Sequence, residues 1–263
     1  MDPIEKFLIK HRHNPRTYNV YRSALNTFFK RIGLGPEELL KLSEDEIEYI
    51  VNSFINEMLR EKSMNYCLVC LTAINGFLEA NKVKVKVKRK NLKNIPERPD
   101  YIPTKEEILY ILTKTRNELR AIIALMAFSG MRPMDVISLK FANVAEEIEY
   151  NEETKMYRPK KVPLKITIRQ NKTKQWYVTF LGPRGAEILC NYLTELSRKL
   201  GRPLKYTDKL FHWHRVDALD WHLSRVLRDN LKTSPLRRVR PYILRKYFRR
   251  AALKLGEDVA EFL

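Results

Sequence analysis

Cysteine is scarce here: Cys67, Cys70 and Cys190 are the only three in 263 residues. So few thiols in a chain this long exclude a disulfide-stapled scaffold. Cys67 and Cys70 form a C-x-x-C, a spacing used in redox and metal chemistry. They fall inside Met64–Leu78, however, an apolar-rich helical pattern without βαβ context, and read as small core residues. Long apolar runs are missing too. The longest, Ala121–Phe128, is far too short to span a bilayer, and the opening MDPIEKFLIK lacks the apolar core of a secretory signal. The expectation is a soluble, cytoplasmic protein with no membrane partner. No internal repeat is found.

Acidic charge is also in short supply. Asp and Glu total 31 against 50 Lys and Arg, a net charge of +19. Such self-repulsion is tolerated when a polyanion is bound, and nucleic acid is the first candidate. An anionic membrane surface and a merely basic exterior are the alternatives. The excess is uneven: residues 1–88 hold 14 basic and 11 acidic side chains (+3), whereas residues 104–263 hold 32 and 18 (+14). Ser234–Lys254 carries eight Lys or Arg and no acid. That concentration points to a specific anionic site. No RNA-binding module signature accompanies it.

With 44% hydrophobic and 31% charged residues, the length suits two compact domains. Residues 1–87 read as a helical domain. Asn14-Pro15-Arg16-Thr17 starts a helix whose apolar face is Tyr18, Tyr21, Leu25, Phe28 and Phe29, and Gly33 ends it. Ser43 and Glu46 form a capping box for the next, and a further helix runs from about Ser63 to Ala80. Val83–Val87 alternates strictly, which fits either an edge strand or an extended basic connector. Residues 88–103, basic and carrying Pro96, Pro99 and Pro103, read as a linker.

Residues 104–263 form the second domain. Thr104 caps its first helix. A buried helix, Glu118–Ser129, ends at Gly130, and Pro133 opens another through about Leu139. The charged stretch Glu146–Lys161 reads as a loop insertion. Lys165–Arg169 and Gln175–Leu181 read as two strands around Gln170-Asn171-Lys172-Thr173-Lys174. Helices follow at about Arg184–Leu200, Val216–Asp229 and Pro241–Leu255. The fold class expected is mainly α with one small antiparallel sheet.

Three motifs then stand in order. Ala127-Phe128-Ser129-Gly130-Met131-Arg132-Pro133-Met134-Asp135-Val136-Ile137-Ser138-Leu139 has the form S-G-x-R-x-x-D-[apolar]-x-x-L. The hairpin turn offers Lys172 and Lys174, and Tyr242-Ile243-Leu244-Arg245 supplies x-L-R about 70 residues later. Together they resemble the tyrosine recombinases, the phage-type, archaeal and viral integrases, over nearly the whole chain. The N-terminal helices, with NPRTYNVYRSALNTFF, resemble that family's core-binding domain.

The resemblance implies a helical core-binding domain and an α+β catalytic domain that grip duplex DNA. It implies strand exchange through a 3′-phosphotyrosyl intermediate, as in integration or excision of a mobile element, by a tetramer on two DNA sites. Neither metal nor ATP is needed, because the covalent bond conserves the phosphodiester energy. Arg132 and Arg245 match the two catalytic arginines and Asp135 the acid one turn on. Planar, permanently charged guanidiniums suit the extra negative charge of a phosphoryl transition state. Lys172 matches the hairpin lysine that protonates the leaving 5′ oxygen, with Lys174 a competitor for the role. Lys174, Arg237, Arg238, Arg240, Lys246 and Arg249 are the candidate DNA-backbone contacts. Localisation would be cytoplasmic and nucleoid-associated.

Departures open other readings. Tyr242 stands where the family has His or Lys; a phenol donates a hydrogen bond but is a poor proton shuttle at neutral pH, and Arg240 is available for part of that role. The family's remaining His/Trp and its nucleophile lie about 20 and 30 residues past the second arginine, whereas only 18 follow Arg245. The expectation is a chain that stops before its tyrosine, through truncation, a disordered tail or a split gene in that order, and that is, as it stands, inactive in cleavage. The alternatives are an inert DNA-binding fragment or regulator, and a type IB topoisomerase-like enzyme. His212-Trp213-His214 with His222 lacks the closed ligand set of a zinc site, and no metal is expected.

Overall fold

The structure is a computed structural model that describes residues 2–87, 98–171 and 173–254. It divides into two compact units, residues 1–97 and 98–263. Most of the sequence-derived linker, 88–103, therefore lies outside the described residues.

The first unit is helical, and each helix start is fixed by local chemistry. Helix α1 (Pro3–Leu8) precedes α2 (Pro15–Ile32), where the Asn14 side chain accepts from Thr17 N–H at 3.3 Å. Gly33, at φ 69°, ends α2 in the left-handed region. After the single turn α3 (Pro36–Leu39), the Ser43–Glu46 capping box starts α4 (Glu44–Glu61), with Ser43 N–H donating to the Glu46 carboxylate at 2.8 Å. Helix α5 (Met64–Ala80) lies between the others and buries Cys67 and Cys70 completely, so both thiols are packing groups. Phe28, Phe54 and Phe77 centre the core. Beyond α5 the chain is extended but pairs with no strand among the described residues. Val83 and Val85 pack on the core, Val87 is buried, and Asn75 holds Val87 by two hydrogen bonds of 3.0 and 3.1 Å. Lys82, Lys84 and Lys86 alternate outward.

The second unit is built on α7 (Asn117–Ser129), whose middle, from Ala121 to Ala127, is buried all round. It is preceded by α6 (Lys105–Lys114), capped by Thr104 with Glu107 reaching back at 2.8 Å, and followed by the short α8 (Pro133–Ile137). The stretch read from sequence as a loop insertion is instead a hairpin of β1 (Ile148–Asn151) and β2 (Met156–Pro159). Flanking charge hid an alternation that buries Ile148 and Tyr157, and the Tyr157 hydroxyl accepts from Leu204 N–H at 2.6 Å. There are thus two small antiparallel sheets among the described residues where one was expected. The second pairs β3 (Leu164–Arg169) with β4 (Trp176–Leu181), in register Leu164 to Leu181 and Arg169 to Trp176. The amphipathic α9 (Pro183–Leu200), α10 (Val216–Asn230) and α11 (Tyr242–Leu253) complete the unit. No helix among the described residues is long and apolar enough to cross a membrane.

Candidate active site

The end of α7 is where the site is assembled. Gly130 takes φ 66°, a conformation that costs other residues about 1–2 kcal/mol. A Cβ there would also lie 2.7 Å from Cε1 of Phe248. Glycine therefore lets the chain turn sharply and lets α11 come down against α7. Arg245 stands one turn before Phe248 on the same helix, so this close approach brings it within electrostatic range of Arg132. Met131 is buried, and Arg132 occupies the cap position of α8 with Pro133 following at the first helical position, where its missing N–H costs nothing.

The two arginines come within electrostatic reach of each other. Burial, and then repulsion from Arg132, hold the Arg245 guanidinium below the usual arginine range, while Tyr242, Tyr177 and Asp135 pull the other way. The Arg245 Nε is buried and has no hydrogen-bond partner. Asp135 is only 1% exposed and lies 3.7 Å from an Arg132 Nη, whereas Arg132 itself is 37% exposed. Two cations with one carboxylate leave net positive charge in a partly dry setting. An anion with several acceptor oxygens would satisfy it.

Asp135 has a second task that sequence reading did not find. Its Oδ1 accepts from Asn171 N–H at 2.9 Å and from the Asn171 amide at 3.2 Å, and that amide also donates to Ser138 Oγ at 2.9 Å. The acid beside Arg132 thus anchors the root of the β3–β4 hairpin. Lys172, the next residue, lies outside the described residues. Lys174 has an exposed side chain and a left-handed backbone, φ 61°, and its carbonyl accepts from Arg169 Nε at 2.8 Å. The hairpin is held at its other side too: on β4, buried Thr179 donates to the Ser129 carbonyl at 2.8 Å.

Tyr177 also belongs to the cluster. It shares the inward face of β4 with Thr179 and Leu181. Burial pushes its phenol up to about 12, Asp135 adds to the rise, and Arg245 and Arg132 oppose it. Its one sequence signal was strand alternation, which marks a face and not a function.

The remaining candidates divide. Tyr242, 47% exposed, opens α11, with the Arg240 guanidinium 5.3 Å and the Lys246 ammonium 6.0 Å from its ring centre. Arg237, Arg238 and Arg249 face solvent. Arg240 and Lys246, read from sequence as candidate DNA contacts, each form an ion pair with Asp100, at 2.8 and 2.7 Å. His212 is exposed, and its backbone N–H donates to Glu118 at 2.7 Å; His222 packs edge-on to Trp213 and Trp221. No cluster of three His, Cys, Asp or Glu suited to a metal occurs among the described residues.

No family model matches the chain, and no curated protein matches it in sequence. Solved structures do. A lambda integrase tetramer bound to a Holliday junction is similar at a TM-score of 0.68 and 15% identity, over 99% of this chain and 71% of that one. The Tn1549 transposon integrase in complex with transposon right end DNA gives 0.63 and 11%, over 100% and 90%. The XerH site-specific recombinase bound to its difH substrate gives 0.61 and 17%, over 93% and 71%. These neighbours share one fold, the α+β fold of tyrosine recombinases and integrases, and this chain has it.

Proposed function

Starting from that fold, we propose that the protein is a site-specific DNA strand transferase of the recombinase and integrase type. One observation supports it above the rest: Arg132 and Arg245, carried by separate helices, reach each other's field with Asp135 as their shared counter-charge. A phosphodiester offers two such forks several acceptor oxygens. Each preorganised donor to the transition state is worth about 3–4 kcal/mol by analogy with an oxyanion-hole donor.

In the proposed reaction a tyrosine oxygen attacks the scissile phosphorus, and the bond from phosphorus to the 5′ oxygen breaks. The phosphoryl group stays on the 3′ side as a phosphotyrosyl ester. Lys172 gives its proton to the departing 5′ oxygen, with Lys174 the alternative donor. The Asn171–Asp135 bond anchors the turn on which both candidate lysines stand. Tyr242 donates a hydrogen bond to phosphate. Neither it nor Tyr177, whose phenol is held protonated by burial, is proposed as the nucleophile. Attack by a 5′-hydroxyl of another strand reverses the step and exchanges strands, without metal or ATP.

Double-stranded DNA is the proposed partner, met by Lys174, Arg237, Arg238 and Arg249 at its backbone. Since one structural neighbour was solved as a tetramer on a Holliday junction, a homo-tetramer on DNA is proposed here as well. Association with the cell's DNA, and so with the nucleoid, goes with that partner. The test is a suicide DNA substrate offered to the product of the full reading frame. A denaturant-resistant protein–DNA adduct is expected, formed about 10²–10³-fold more slowly by Arg132→Ala. No adduct, or one indifferent to Arg132→Ala, would overturn the proposal.

A further inference from the structure

The basic stretch Ser234–Lys254 contains a buried acid's two partners. The Asp100 side chain is 2% exposed. Arg240 grips it with two nitrogens, Nε at 3.0 Å and Nη2 at 2.8 Å, and the Lys246 ammonium adds a contact of 2.7 Å. Burial alone would raise this carboxyl; the bonds to Arg240 and Lys246 outweigh that and hold it below the usual aspartate range. Around it the backbone is stitched as well. Arg238 N–H donates to the Pro99 carbonyl and Tyr101 N–H to the Arg238 carbonyl, both at 2.9 Å. The segment 99–101 is therefore fastened to the approach to α11, and the two cations on Asp100 flank Tyr242 and Arg245 in sequence.

We propose that Asp100 is a positioning residue: by neutralising Arg240 and Lys246 it fixes the first turns of α11, which carry Tyr242 and Arg245. These two cations then count as structural charges and are not phosphate contacts. A carboxylate this buried is tolerated only when paired, and breaking the pair by removing one side is what such geometry resists. The bidentate fork from residue 240 and the ammonium from residue 246 meet on one acid, so either one alone keeps the helix start tied to residue 100 and only loss of the acid frees it.

The inference rests on the proposal that the protein binds duplex DNA, and the experiment separates the two. Binding of a duplex is measured against salt for the wild type and four variants. Each phosphate neutralised contributes about 0.9 to the slope of log K on log salt. Arg245→Ala is expected to reduce the slope by about 0.9, as one lost phosphate contact. Arg240→Ala and Lys246→Ala, which each leave Asp100 one partner, should leave it unchanged. Asp100→Asn, close in shape but uncharged, should release both cations and steepen it by up to about 1.8. A purely structural acid would alter thermal stability without altering the slope. If Arg240→Ala lowers the slope as Arg245→Ala does, or Asp100→Asn leaves it unchanged, the positioning role is refuted while DNA binding stands. If the wild type shows no salt-dependent binding, the functional proposal itself fails.

Discussion

Replacing Gly130 by alanine is the sharpest perturbation of the site's framework. Two costs add, and they come from different places. The left-handed backbone at φ 66° costs a residue with a Cβ about 1–2 kcal/mol. The new methyl would sit 2.7 Å from Phe248 Cε1, and forcing a packed ring aside costs about 1–3 kcal/mol. Gly130→Ala should therefore destabilise the second unit by about 2–5 kcal/mol. Trp176, Trp213 and Trp221 are the chain's only tryptophans and all lie in that unit, so their fluorescence in a urea titration reports it alone. The two costs separate in a double-mutant cycle. In a Phe248→Ala background the steric part disappears and only the backbone part, about 1–2 kcal/mol, remains. A loss below 1 kcal/mol in the wild-type background, or an equal loss in both backgrounds, would refute the idea that glycine admits α11 to the end of α7.

Other expected outcomes follow from the same geometry. Asp135→Ala leaves the Asn171 N–H without its acceptor and should cost about 1–3 kcal/mol, with faster hydrogen exchange through residues 170–175. Asp135→Asn, whose amide oxygen still accepts, should lose less. Burial raises Cys70 from 9.0 to about 11, Cys190 from 9.0 to about 12 and Tyr177 from 10.0 to about 12. Because the folded state holds these protons more tightly, their contribution to stability is complete below about pH 9 and is lost as pH rises towards 12. A series of Tm values from pH 8 upward should decline accordingly, and Tyr177→Phe should soften the fall between pH 10 and 12. A Tm that holds or rises over that range would contradict the burial of these groups.

What the sequence made legible was mostly local. Caps and stops at Asn14, Gly33, Ser43 and Thr104 depend on neighbours three or four residues away, so the helix boundaries they mark could be read directly. The fold class was legible for the same reason, helped by motifs in a fixed order. The β1–β2 hairpin was not, because Glu149, Glu152 and Glu153 masked the alternation that buries Ile148 and Tyr157. Long-range partners were the least legible. Nothing near Asp100 announces that Arg240, 140 residues on, will hold it, and a count of basic residues treats both cations as free. Asn171 looked like a turn former, and only the fold shows its bonds to Asp135.

The most direct measurement is a crystal structure of the protein soaked with tungstate, a tetrahedral dianion that stands in for phosphate. One tungstate is expected within hydrogen-bond distance of the guanidiniums of both Arg132 and Arg245, and it should be lost in Arg245→Ala. Tungstate bound only at Arg237 and Arg238, or touching Arg132 with Arg245 turned away, would contradict the two-arginine phosphate site.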